Sequence, residues 1–141
     1  MNTSLESKCP QILLDMVHVP PMFSWAGKVV VARVTKVYDG DTVHLVFVDN
    51  NKLVRISARV DGIDTPEIRG KTKREKRKAT EARDYAAWVL KGKLVTATLK
   101  KTDKYGRTVA SITTENDEDF KSLMIDSGYA REYDGGTRQD W

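Results

Sequence analysis

Arg59 stands five residues ahead of Asp64-Thr65-Pro66-Glu67, and Asp39-Gly40-Asp41-Thr42 lies upstream of both. Farther on, Asp103-Lys104-Tyr105-Gly106-Arg107 adds a second guanidinium. Carboxylates hold a hard divalent cation, and the planar arginine fork matches the oxygens of a phosphate. Short segments that carry both, set between strand-like runs, offer what metal-assisted cleavage of a phosphodiester requires. Each piece also has a plainer reading. Asp39-Gly40 alone makes a turn that Asp41 decorates. Asp64 to Glu67 alone is a helix start, with a cap, an early Pro and an acid in the first turn. A single exposed strand Arg is an ordinary solvated residue. The combination is harder to obtain by accident than any part.

Asp41 just past a turn and Asp64 at the end of a strand can project into one cleft. Two aspartates leave several coordination positions for water and a substrate phosphate, an open arrangement of catalytic style. No D-x-[DN]-x-[DN]-G loop is present, which excludes an EF-hand. Glu67, three residues beyond Asp64, is placed to activate or orient a water for in-line attack on phosphorus. Arg59 and Arg107 form a phosphate clamp whose hydrogen bonds strengthen as charge builds on the transition state. His18 and His44 have no His or Cys partner at ligand spacing and read as structural.

DGDT, then R-x4-DTPE, then DKYGR, in that order and at comparable intervals, resemble the staphylococcal nuclease (thermonuclease-like) family, from about Val29 to about Tyr133. The resemblance implies Ca²⁺ as cofactor, with Asp41, Asp64 and the main-chain carbonyl of Thr65 as metal ligands. It implies Glu67 as general base or, alternatively, as a residue that positions the water. Lys104 and Tyr105 match positions that contact the terminal phosphate of a bound nucleotide, although Tyr105 can instead pack at the barrel rim. Tyr133 falls near a nucleotide-contacting tyrosine pair, about one residue out of register. The implied reaction is endonucleolytic or exonucleolytic hydrolysis of DNA and/or RNA to 3′-phosphate and 5′-hydroxyl ends. Single-stranded substrate is favoured, because a barrel face offers stacking and backbone contacts without base-edge readout.

The alternative is a catalytically silent nucleic-acid-binding module of the same fold, as in the nuclease-like repeats of Tudor-containing proteins. Such a module has no need of Asp41, Arg59, Asp64, Glu67 and Arg107 together, and all five are present. The chain departs from the family at its far end. The staphylococcal enzyme continues with another helix, which REYDGGTRQDW cannot supply. Thr137 to Trp141 is expected to fold back as a short strap with Trp141 filling the gap.

A length of 141 residues fits one domain with its own core. Forty per cent apolar and 31% charged residues are those of an ordinary soluble globular chain, here expected to be a monomer. Cys9 is the single cysteine, which rules out an intramolecular disulfide or a thiolate cluster. The apolar stretch Ile12 to Val19 is broken by Asp15 and His18 and is no secretory signal. No run approaches the roughly 18 apolar residues of a membrane span. The sequence as written therefore reads as intracellular, with secretion through a removed leader left open. The net charge of +4 is local: Arg69 to Arg83 carries eight Lys or Arg against Glu75 and Glu81. A basic patch beside a carboxylate cluster gathers a polyanion, while the plainer reading is a solvated helix face.

Residues 1–27, with Pro10 and the Pro20-Pro21 pair, read as an irregular leader to a domain spanning 28–141. Lys28 to Tyr38, Thr42 to Val48 and Lys52 to Val60 read as a three-stranded meander joined at Asp39-Gly40 and Asp49-Asn50-Asn51. Lys73 to Leu90 reads as a helix, with Ala79, Ala82, Ala86 and Val89 on one face and Gly92 ending it. Leu94 to Leu99 and Thr108 to Thr113 are two further strands. Asp117 to Ser127 is a short amphipathic helix with Gly128 at C′. The pattern gives an α+β fold built on a small barrel or meander. The family resemblance sharpens this to a five-stranded OB-fold barrel with two helices and without the family's last helix.

Overall fold

Alternating Val, Ile and Thr along each run leaves one apolar face, and five such strands satisfy their edges by closing on one another. The computed structural model describes residues 4–141. In chain order its strands are β1 (Val29–Asp39), β2 (Thr42–Asp49), β3 (Lys52–Val60), β4 (Ile63–Asp64), β5 (Leu94–Thr102), β6 (Thr108–Thr113) and β7 (Arg131–Glu132). The order β1-β2-β3-β6-β5 closes a barrel, and β4 pairs with β7 in a separate two-stranded ribbon. All barrel neighbours are antiparallel except β3 and β6, which run parallel. This is the α+β barrel of OB type that the sequence leads one to expect.

Helix α1 (Ser4–Lys8) and helix α2 (Gln11–Leu14) lie in the stretch expected to be irregular. Both are too short to display an apolar stripe, and α2 buries no residue. Helix α3 (Lys73–Leu90) packs on β1 through Ala79, Ala82, Ala86 and Leu90. The Thr72 hydroxyl caps it by accepting from the Glu75 amide, and the Glu75 carboxylate accepts from the Lys71 amide. Helix α4 (Phe120–Asp126) is shorter than its apolar pattern suggests. Asp117 sits at φ 63° and Asp119 caps the first turn, so the chain before Phe120 is a turn. Gly128 at φ 77° closes α4, with its amide and that of Tyr129 donating to Ile125 and Met124, in a Schellman arrangement.

The core fills the barrel with Val34, Leu45, Leu99 and Ile112, and Phe120 and Met124 of α4 join it. Two irregularities in β1, between Val34 and Lys36 and between Val37 and Asp39, bend the strand just before Asp41. At the same rim Gly40 lies against Thr65. A Cβ built on Gly40 would stand 2.9 Å from the Thr65 methyl and 3.1 Å from the Met124 terminal methyl. Absence of a side chain at Gly40 is therefore what lets the Asp41 turn seat on the Asp64 segment.

Gly40→Ala is expected to destabilise the protein by about 1–3 kcal/mol, the usual range for an overpacked site. Urea unfolding measures it. Wild-type stability in the variant would show that the two segments have room to separate.

Candidate active site at the barrel rim

Strand register assembles one half of the site. Thr42 on β2 pairs with Arg59 on β3, which brings the arginine beside Asp41. The parallel pairing of Ala58 with Thr108 and Arg59 with Val109 then lays the Arg107 turn along the same rim. Arg59 Nη1 lies 3.3 Å from Asp41 Oδ2. The same guanidinium donates to the carbonyls of Val60 (2.9 Å) and Ile63 (2.8 Å), tying β3 to β4. Arg107 Nη1 donates to the Thr42 hydroxyl (3.1 Å), which donates in turn to Asp41 Oδ1 (3.1 Å). Asp41, Arg59 and Arg107 thus form one hydrogen-bonded group with Thr42 at its hinge.

Asp103 orients Arg107. Its carboxylate accepts from Arg107 Nε at 2.8 Å and from the main-chain N–H groups of Tyr105 and Arg107, both at 2.9 Å. Burial disfavours the Asp103 anion, but these hydrogen bonds outweigh it and hold the pKa below the usual carboxylate value. Nη2 of Arg107 makes no hydrogen bond among the described residues. Tyr105 does not pack at the rim: it is 71% exposed, flanked by Lys104 Nζ at 5.2 Å and the Arg107 guanidinium at 5.4 Å from its ring centre.

The other half gathers around a positive charge supplied by the chain itself. Asp64 and Thr65 are buried, Glu67 is exposed, and all three turn oxygens toward Arg138. Arg138 Nε donates to Asp64 Oδ1 (2.9 Å), Nη1 to Glu67 Oε1 (2.6 Å) and Nη2 to the Thr65 carbonyl (3.2 Å). Trp141 Nε1 donates to Asp64 Oδ2 at 3.3 Å. Burial opposes the charge on Arg138, but Asp64, Glu67 and Glu75 together raise its pKa further above the usual value. The Thr65 hydroxyl is buried without a hydrogen-bond partner among the described residues.

The Asp64 carboxylate and the Thr65 carbonyl are hard oxygen donors that already meet one cation, with the Glu67 carboxylate beside them. The donor set fits Ca²⁺ in an open site. Among the described residues no three His, Cys, Asp or Glu side chains form a metal cage by themselves. A cation here would complete its shell with water or phosphate.

The placement of Tyr133 differs from that of Lys104 and Tyr105. It lies under the far segment, where its amide donates to the Gly62 carbonyl (2.9 Å) and its hydroxyl to the Gly136 carbonyl (2.6 Å). Register here follows the β4–β7 ribbon, which pairs Asp64 with Arg131. Nothing in the local spacing of Tyr133 announces that ribbon. His44 faces Lys36 and Arg55, and burial together with these two cations lowers its pKa, in keeping with a structural residue.

Sequence reasoning passed over Arg138, Asp103, Thr42 and Asp39. The Asp134-Gly135-Gly136 turn is the available signal for Arg138, since it reverses the chain and sends the next basic residue back. Asp39 accepts from the Asp41 amide (3.1 Å) and stands beside the Asp41 carboxylate. Its burial and that neighbouring charge push its pKa up to about 7.

A closed five-stranded barrel with clustered carboxylates and guanidiniums at one rim defines an α+β domain of OB type. Residues 57–140 match the family model described as staphylococcal nuclease homologue, and the chain belongs to that family. The match takes in Arg59, Asp64, Glu67, Arg107 and Arg138, while Asp41 lies ahead of it. Two relatives, from Escherichia coli O157:H7 and from Escherichia coli, each bear the name "Uncharacterized endonuclease". Each is 30% identical over 109 residues, which cover 72% of this chain and 60% of the relative. The chain thus spans less than two thirds of the length of these curated relatives.

The raised pKa of Asp39 carries a sign. The folded state keeps a proton that the unfolded state has lost between about pH 4 and 7, so stability falls as pH rises through that window. Asp39→Asn retains the acceptor for the Asp41 amide and removes the charge. In EDTA the variant should melt higher than wild type at pH 8 and close to it at pH 4.5. A lower melting temperature at pH 8 would contradict the assignment.

Proposed function

We propose that this protein is a Ca²⁺-dependent nuclease that hydrolyses phosphodiester bonds of DNA and/or RNA, preferring single strands and acting as a monomer. The observation that carries the reading is the rim itself. The oxygens of Asp64, Thr65 and Glu67 are gathered around one positive charge, with Arg59 on β3 and Arg107 in the turn that leads into the adjoining β6. The names of the Escherichia coli relatives support the same class of activity.

Asp41, Asp64 and the Thr65 carbonyl would hold Ca²⁺, which when bound supplies charge neutralisation and activation of a water. Glu67, exposed and three residues beyond Asp64, accepts a proton from the attacking water or orients it. Arg107, braced by Asp103, offers its remaining N–H groups to the phosphoryl oxygens, where they oppose the charge of the transition state. Arg59 contributes a second guanidinium while it keeps Asp41 in place. Lys104 and Tyr105, exposed on the same turn, meet the neighbouring phosphate or base. The 5′-oxygen departs, leaving 3′-phosphate and 5′-hydroxyl ends.

The test is digestion of end-labelled single- and double-stranded substrates with Ca²⁺, Mg²⁺, Mn²⁺ or EDTA. Activity in EDTA, or 5′-phosphate products, would overturn the mechanism. Two variants separate the carboxylates. Asp41→Asn should weaken Ca²⁺ binding and turnover together, because a charge leaves the coordination shell. Glu67→Gln should retain Ca²⁺ binding by calorimetry and lose turnover by at least about 10²-fold, as expected for a residue acting on the attacking water. Equal loss of binding in both would make Glu67 a ligand.

Helix α3 exposes Lys73, Lys76 and Arg77 on the side opposite its buried alanines. Its first turn lies near the site, since Glu75 acts electrostatically on Arg138 and Lys78 Nζ sits 5.9 Å from the Trp141 ring centre. Reversing the charges of Lys73, Lys76 and Arg77 should weaken capture of long polynucleotides and flatten its salt dependence, as fewer counterions are released. Cleavage of a dinucleotide should change little. Equal losses on long and short substrates would make the basic face structural.

A further inference from the structure

The segment Tyr133–Trp141 lies across the rim and not in the core. Strand β7 anchors its start to β4, and the Asp134-Gly135-Gly136 turn reverses it, with the Gly136 amide donating to Asp134 Oδ1 at 2.9 Å. Arg131 then braces the far part: its Nη1 donates to the Asp140 carbonyl (2.8 Å), and its guanidinium stacks 4.0 Å from the Trp141 ring centre. The result is that Arg138 and Trp141 arrive together at Asp64.

We propose that this segment is an internal competitor for the cation site, in which Arg138 and Trp141 hold the oxygens that a divalent cation must take, so that binding the cation displaces them. The inference rests on the reading of Asp64 and the Thr65 carbonyl as cation ligands. Oxygen ligands approach Ca²⁺ to about 2.3–2.6 Å from all sides of the ion. Both carboxylate oxygens of Asp64 are engaged, one by Arg138 and one by Trp141, and the Thr65 carbonyl is engaged by Arg138 as well. A guanidinium on these oxygens and a divalent ion on the same oxygens exclude each other sterically and by like-charge repulsion.

The segment is also built to leave. Its side chains are mostly exposed, and Arg138 keeps 35% of its side-chain surface open. An open, solvent-accessible pocket of about 450 Å³, lined by Gly62, Lys121, Tyr133 and Thr137 among others, borders it. What holds it is chiefly charge, which a divalent ion supplies in greater measure than a guanidinium. Without the cation, Arg138 balances Asp64 and Glu67, so the carboxylates are never left bare. Apparent cation affinity is then lowered by the fraction of molecules whose segment is open, about tenfold when one molecule in ten is open.

The test uses the full chain, with Ca²⁺ alone as probe. Calorimetry is run on wild type, Arg138→Gln and Trp141→Ala, and the indole N–H resonance of Trp141 is followed in wild type during the titration. Trp141→Ala leaves the net charge unchanged, so it separates displacement of the segment from simple electrostatics. Both variants are expected to bind Ca²⁺ about tenfold more tightly or better, and the Trp141 resonance should move in step with saturation. Tighter binding by Arg138→Gln alone, with Trp141 unmoved, would overturn the proposal and leave a purely electrostatic effect. Unchanged affinity in both variants would overturn it while leaving the cation site intact. Weaker binding by both would make the segment part of the site. No binding by any of the three proteins would overturn the cation reading and this inference with it.

Discussion

Negative charge held partly out of water is the constraint around which this rim is organised. An uncompensated buried carboxylate is costly, so each one here is balanced in a different way. Asp41 faces Arg59, a neighbour across the β2–β3 ladder. Asp64 is met by Arg138, which is distant in sequence and brought back by a glycine turn. Asp39, with another carboxylate beside it, holds its proton to about neutral pH. Gly40 presses the Asp41 turn onto Thr65, so these solutions must coexist within one small region.

The same guanidiniums serve the architecture. Arg59 spans from Asp41 to the Val60 and Ile63 carbonyls and fixes how the chain leaves β3. Arg107, Asp103 and Thr42 form a second brace between the β5–β6 turn and β2. Residues proposed to meet a phosphate are thus held before any phosphate arrives, and little order remains to be imposed on binding.

Most of this is legible in the sequence where the signal is local. The β3, α3 and β6 spans follow from period-two or helical spacing and from Gly92 past the end of α3, while the Thr72 cap emerges only in the fold. Strand β5 runs to Thr102, past the expected Leu99, because the chain continues pairing with β6 after an irregularity at Leu99. The rim residues were visible because their types and order are unusual together. What local pattern did not show depends on distant pairing. The β4–β7 ribbon is two residues per strand, too short to have a period, and it starts the path that the following turn continues to Arg138. Asp103 and Thr42 look like turn and strand residues until the fold places Arg107 between them.

The parallel seam between β3 and β6 has a consequence for the order of folding. The meander β1–β2–β3 forms through near neighbours, whereas Ala58 and Thr108 must find each other across the whole of α3 and β5. Contacts of such separation carry the largest loop-closure entropy and are slow to form. Arg59 and Arg107 therefore come side by side only in chains whose barrel has shut. A nascent or partly unfolded chain has the meander and its carboxylates without the paired guanidiniums, so the full set of rim charges arises late, as a property of the completed fold.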